Sequence, residues 1–311
     1  MSVKSKSYNE MPDFLIIGAG KSGTTSINNY LRQHPDIYIH PFKEPNFFGY
    51  ELYSYEDFVN KKLLNHYKDS ITELNSYLEL FSEAKEGMKK GETSNSYLYL
   101  PDAPLNIKKH IPHVKLIAIL RHPVDRLYSR FMHLCRENRQ PDNTFINCLD
   151  TDSVWWKRND LVPEGFYGKY LSRYYSLFDS SQIKVFLYED LLTRPLETIK
   201  EMYRFIEVDE NFTPDISIHF NKSGLIKNKF INKLIGQNGL IKNFISFITP
   251  LSVYSKLKES NLLQKKLNNI RSRNLKVEKL DGGSRQLIID EVYKDDILIL
   301  EDLLHRKLNW L

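Results

Sequence analysis

Cysteine is scarce: the 311 residues hold only Cys135 and Cys148. That excludes a disulfide framework, and the pair reads as reduced thiols of a reducing compartment. No cluster of His, Cys and Asp has metal-ligand spacing, so no metal is expected. No stretch of about 20 uninterrupted apolar residues occurs, so no transmembrane segment is expected. The opening MSVKSKSYNEMPDF lacks an apolar h-region, which argues against a signal peptide and makes a cytoplasmic location the default. There is no internal repeat and no low-complexity tract. The length suits one large α/β domain over 1–311, with 1–11 as a flexible N-terminus, and it needs no staple to fold.

The net charge of +5 is unevenly spread. Between Lys222 and Lys276 there are twelve Lys and Arg against one acid, Glu259. The rest of the chain is therefore acidic, and the local patch points to an anionic partner. No nucleic-acid partner is expected.

Strand and helix patterns alternate. Asp13–Gly18 is a short apolar run ending in glycine, the mark of a buried parallel strand. Helical spacing follows over 27–34 and stops at Pro35. Ile37–Ile39 and Met88–Thr93 read as further strands, and the mixed, Tyr-rich 51–85 as helical. Val114–Leu120 is the clearest strand, followed by a helix over Pro123–Arg136 with proline in its first turn. Helices are expected over Gly165–Phe178 and Glu197–Ile206, with a strand over Ile183–Tyr188 between them. Ser284–Leu308 reads as one amphipathic helix with Leu287, Ile288, Val292, Ile299 and Leu303 on or near one face. The alternation predicts an α/β fold with a central parallel sheet flanked by helices.

Between the first strand and first helix lies Gly18-Ala-Gly20-Lys-Ser-Gly23-Thr-Thr-Ser26. It matches G-x-G-x-x-G, and Asp36 and Glu44 bracket the place about 20 residues on where a dinucleotide site wants an acid, but Glu44 sits in a Lys-Glu-Pro turn, a poor strand end. The Walker A spacing also fails, because Thr24 stands where its lysine is required. The residue types also suit an anion cradle, with a structural β–turn–α corner as the plainer alternative. N–H groups at a helix N-terminus and the helix dipole favour an anion, Gly23 allows close backbone approach, and Thr24 and Thr25 add hydroxyls.

A second anchor follows the clearest strand, in Arg121-His-Pro123-Val-Asp-Arg126-Leu-Tyr-Ser129. Arg121 ends the strand and Ser129 lies two turns into the next helix, near the sheet edge where open α/β folds bind ligands. Arginine forks onto two phosphate oxygens. Pairing of Arg121 with Asp125 or Asp190 is the structural alternative.

These blocks resemble the sulfotransferases that use 3′-phosphoadenosine-5′-phosphosulfate (PAPS), in particular the bacterial and heparan-sulfate-type branch. The likeness runs from about Pro12 to the C-terminus. It takes in His34-Pro-Asp36, Lys43-Glu-Pro-Asn-Phe-Phe48, Gly91-Glu-Thr-Ser-Asn-Ser-Tyr97, Leu187-Tyr-Glu-Asp-Leu-Leu192 and the closing Leu-Asn-Trp-Leu. It implies a P-loop-like sulfotransferase fold, with PAPS as donor and PAP as product. Gly20, Lys21, Ser22, Gly23, Thr24, Thr25 and Ser26 would form the 5′-phosphosulfate loop, and Arg121 and Ser129 the 3′-phosphate site. Lys21 would stabilise the bridging oxygen as sulfur leaves, and Glu44 would be the general base. Phe47 and Phe48 read as core or pocket wall.

The chain departs from the related glycan enzymes around Glu44. Asn46 and Gly49 stand where His and Asp are common, and Thr93 and Asn95 replace Lys and Pro of an E-K-T/S-P-x-Y element. The acceptor is therefore left open between a carbohydrate and a small metabolite, and between a hydroxyl and an amine. Asn221-Lys-Ser-Gly224 precedes Lys227 and Lys229, which stand where relatives carry a basic loop over the nucleotide. The segment 222–276 is expected to be a helical lid that also walls the acceptor site. The alternatives are a solvated face and an amphipathic element in peripheral contact with an anionic membrane.

Overall fold

Four apolar runs form the centre of the molecule. In this computed structural model, which describes residues 10–50, 67–137, 139–142, 144–217, 225–226, 274–276 and 280–311, Phe14–Gly18 is β1 and Thr24–Leu31 is α1. Ile37–Ile39 forms β2 and Lys89–Thr93 forms β3, which runs into a 3₁₀ turn over Asn95–Leu98. Ala103–His110 is α2, Lys115–Leu120 is β4 and Pro123–Arg136 is α3. Tyr167–Tyr175 is α4, Ile183–Leu187 is β5, Tyr188–Thr193 is α5 and Pro195–Ile206 is α6. A helical turn covers Phe47–Tyr50, just before the stretch 51–85 expected to be helical; within that stretch a short helix covers Leu74–Glu79, and 51–66 lies outside the described residues.

The five strands make one parallel sheet in the order β2-β3-β1-β4-β5. Phe14 is level with Gly91 on one side and Lys115 on the other. Side chains alternate along each strand, and both faces are apolar. Leu15, Ile17, Leu116 and Ala118 enter one core with α3 and α4, while Phe14, Ile16, Ile117 and Ile119 enter the other with α1 and α6. Burial on both sides explains why these strands read as continuous apolar runs. Truncating one such side chain, as in Ile117→Ala, is expected to cost about 2–5 kcal/mol.

The helix after β1 packs on one face and the helix after β4 on the other. Neighbouring strands with crossovers to opposite faces leave a crevice at their carboxyl ends, where α/β folds bind ligands.

The C-terminal region corrects the sequence reading. The helix is broken in register: α7 covers Gly282–Ile288, a π-helical turn covers Ile289–Tyr293, and α8 covers Lys294–Leu304. The wider turn shifts the buried face by about a residue. Ile288, Ile289, Tyr293, Ile297 and Leu300 are buried, whereas Leu287 and Ile299 are 44% and 49% exposed. Val292 and Leu303 pack at the margin of that core.

Most of the basic segment, with Lys227 and Lys229, lies outside the described residues. Its ends are described. Leu225–Ile226, as β6, pairs antiparallel with Leu275–Lys276, as β7, and β6 lies against α3. Among the described residues no helix is long and apolar enough to cross a membrane.

Candidate active site

The loop between β1 and α1 is bent by its own residues. Lys21 has φ 66° and Gly23, which precedes the first residue of α1, has φ 95°. A Cβ on Gly23 would come within 3.0 Å of the Tyr188 ring, so this position requires glycine both for conformation and for space. The loop is tied to the neighbouring strand, since Ala19 N–H donates to Ile119 O at 2.8 Å. Ser22 and Thr24 are buried, and Thr25 and Ser26 half-buried, in the first turn.

A buried ion pair braces this loop from behind. Gly20 N–H donates to Glu164 Oε1 at 2.7 Å, and a Cβ on Gly20 would stand 2.8 Å from that oxygen. Arg126 Nη1 donates to Glu164 Oε2 at 2.9 Å, and Arg126 also donates to the carbonyls of Leu161 and Asp160. Both side chains are almost fully buried. Burial pushes the Glu164 carboxyl up, while Arg126, Arg130 and the Gly20 N–H pull it down.

The front of the loop is positive. Arg121 closes β4, with Nη1 3.5 Å from Lys21 O, and its guanidinium lies 4.9 Å from the centre of the Tyr188 ring. Tyr167 Oη donates to Arg121 O at 3.0 Å and so fixes the strand end. The Lys21 amine is held down at about 7, first by desolvation and then by Arg130, Arg136 and Arg121. Arg130 is balanced by Asp160, which it shares with Arg158. Burial alone would raise Asp160, but these two arginines hold it well below the usual carboxylate range. Arg136 donates to His133 Nδ1 at 2.7 Å, so that nitrogen is the acceptor. Desolvation, then Lys21, Arg136 and Arg130, hold His133 down at about 3, so its ring is neutral. Among the described residues Lys21, Arg121 and Arg136 make no ion pair with a carboxylate. The acids named as alternatives for Arg121 are engaged elsewhere: Asp125 with Arg285, and Asp190 with Arg194 and Arg306.

Glu44 lies on the other side of the loop. It has φ 56°, and its N–H donates to Thr93 O at 3.0 Å. Its carboxylate takes two hydrogen bonds from Asn95, from N–H at 2.8 Å and from Nδ2 at 2.6 Å. Burial pushes its carboxyl up to about 7; the Asn95 N–H opposes this, and Glu92 and Glu164 add to it. The last of these is the carboxylate that holds Gly20, so the Glu44 turn and the loop are electrostatically linked. Beside it, burial lowers Lys43 to about 8 against the pull of Glu44. Phe47 and Phe48 are fully buried, with Phe47 stacked 4.5 Å from Tyr77. They belong to the core.

The structure thus brings Arg121 to Lys21, and it sets the Glu44 turn within electrostatic reach of the Glu164 carboxylate that holds Gly20. Ser129 is buried on α3. Lys227 and Lys229 lie outside the described residues. Sequence reasoning passed over Arg130, Arg136, Tyr188 and the Arg126–Glu164 pair. The available signal for part of this set is the i, i+4, i+7 spacing of Arg126, Arg130 and His133 along α3. Among the described residues no group of His, Cys, Asp and Glu is arranged to hold a metal.

The chain is similar to known proteins over most of its length. The family profile described as "Sulfotransferase domain" matches residues 11–242. Mouse bifunctional heparan sulfate N-deacetylase/N-sulfotransferase 4 is 26% identical over 232 residues, covering 70% of this chain and 25% of that protein. Human carbohydrate sulfotransferase 15 is 26% identical over 252 residues, covering 64% of this chain and 44% of that protein. The match therefore spans about a quarter to under a half of these relatives. A solved sulfotransferase from Alicyclobacillus acidocaldarius superposes with a TM-score of 0.68 at 26% identity, over 96% of this chain and 98% of that one.

Proposed function

Because the chain belongs to the sulfotransferase family, transferases of the sulfuryl-moving class, we propose that it moves a sulfuryl group from PAPS to a hydroxyl or amine of a carbohydrate or small-metabolite acceptor and releases PAP. The observation that carries the donor assignment is the charge at the loop. Arg121 and Arg136 both act on Lys21 in the loop before α1, and among the described residues none of the three makes an ion pair with a carboxylate, Glu137 being paired with Arg139 while acting on Lys21 and Arg136 from a greater distance. Three cations held together at the cost of a depressed lysine call for an anion of several charges.

In the proposed reaction, Gly20–Ser26 bind the 5′-phosphosulfate, and Arg121 with Ser129 the 3′-phosphate. The acceptor atom attacks sulfur in line. As the new bond forms, the bond from sulfur to the phosphate's bridging oxygen breaks, and its electron pair stays on that oxygen. Protonated Lys21 stabilises the charge developing there. Glu44 takes the acceptor's proton. A carboxyl poised at about 7 is well matched to that task at neutral pH. Glu164 and Arg126 act through the loop, holding Gly20 so that the remaining N–H groups face the donor.

We further propose that the whole of 1–311 works as one domain and that the step needs no metal. Measuring PAP release over a panel of sugars, polyols and amines tests the activity and identifies the acceptor class. Turnover unaffected by EDTA is the expected outcome. Activity lost on chelation and restored by Mg²⁺ would favour phosphoryl transfer instead.

A further inference from the structure

Three of the four positions at which this chain departs from the family pattern, Asn46, Thr93 and Asn95, hydrogen-bond to Glu44. Thr93 supplies the carbonyl that accepts Glu44 N–H at 3.0 Å, and its Oγ1 is fixed by Asn28 Nδ2 at 3.0 Å. Asn46 donates from Nδ2 to Glu44 O at 2.7 Å. Asn95 holds the carboxylate itself, one oxygen to its main-chain N–H and the other to its side-chain amide. A carboxylate accepts only, so the amide must present Nδ2 here rather than Oδ1. Proline, which the family pattern has at this place, can supply neither donor.

We propose that Asn95 is a positioning residue for sulfuryl transfer, holding both oxygens of Glu44 in one orientation so that the base is preorganised without help from the acceptor. The inference rests on the reading of Glu44 as the base. The charged groups facing Glu44 are Glu92 from the end of β3, Glu164 from behind the loop, and Lys43 from its own turn. Burial and the two glutamates favour the protonated acid, while the Asn95 main-chain N–H and Lys43 favour the carboxylate; the Asn95 amide, donating at 2.6 Å, favours the charged form too. Removing the Asn95 amide therefore moves Glu44 towards the protonated form. Asn95→Ala keeps the main-chain donor, and Asn95→Pro removes both.

The test uses the whole 311-residue chain. The titration midpoint of the Glu44 side-chain carbon is followed by ¹³C NMR in the free protein, with Glu44→Gln assigning the signal. In parallel, kcat and KM for PAPS are measured against pH. Loss of one hydrogen bond to a charged group should raise the midpoint by about one pH unit in Asn95→Ala. The acid limb of kcat should move by the same amount, so kcat at pH 6 falls roughly tenfold. KM for PAPS should be unchanged, and the shift should be larger in Asn95→Pro. If that variant does not fold, Asn95→Ala decides alone. A midpoint and acid limb unmoved in Asn95→Ala, or a change in KM for PAPS with kcat intact, overturns the inference while an inactive Glu44→Gln leaves the base reading standing. Full turnover in Glu44→Gln removes the base reading, and this inference with it.

Discussion

Lys21 carries the sharpest residue-scale consequence. Its amine is held at about 7 in the free protein. Donor phosphates favour the ammonium, so binding raises that value and takes up a proton near neutral pH. Calorimetry of PAP binding in buffers of different ionisation enthalpy should show net proton uptake at pH 7.5, and affinity should weaken as pH rises above 7. Affinity independent of pH between 7 and 9 would contradict this. Lys21→Ala should lower turnover by roughly 10²–10³-fold, the scale for one lost transition-state charge stabiliser. With Glu44 as the proposed base, the rate should rise as it deprotonates with pH climbing through about 7. On the proposed roles the free enzyme needs Glu44 ionised and Lys21 charged, so kcat/KM should be bell-shaped around pH 7. By contrast kcat should only rise there, because bound donor keeps Lys21 charged. Glu44→Gln should lose turnover and keep PAP affinity.

At the scale of elements, the loop is only as rigid as what stands behind it. The Arg126–Glu164 pair is buried and joins α3 to the turn before α4 and to Gly20. Removing one member of a buried pair strands the other, which typically costs about 3–5 kcal/mol. Arg126→Leu should show a loss of that order in urea unfolding, whereas an unchanged midpoint would mean that the pair is not a brace. This pair also shows where sequence reading stops. The strands were legible because a sheet buried on both faces writes itself as apolar runs such as Leu116–Leu120. The cradle was legible because glycine at φ 95° beside Lys and two Thr is a local requirement. Glu164 was not, because its partners lie 38 and 144 residues away and nothing near it marks the contact. Asn95 was seen only as a departure, since its bond to Glu44 exists only once β3 and the Glu44 turn are side by side. The C-terminal helix was foreseen but its face was misassigned, because a π-helical turn has no signature in a 3.6-residue period.

For the whole molecule, the basic segment 222–276 is expected to serve the proposed donor site. Its first described residues, Leu225–Ile226, lie against α3, the helix that carries Ser129, Arg130 and Arg136. This supports the reading of Lys227 and Lys229 as donor contacts. The double variant Lys227→Ala, Lys229→Ala should bind PAP more weakly, and PAP should slow proteolysis within the segment. Strong salt-sensitive binding to anionic liposomes, with PAP affinity unchanged in the double variant, would favour a membrane role instead. If the crevice between the ends of β1 and β4 is the PAPS site we propose, calorimetric titration of PAP into the protein gives saturable 1:1 binding, abolished or strongly weakened by Arg121→Ala. No heat with PAP, together with saturable binding of ATP or NADH, would contradict it.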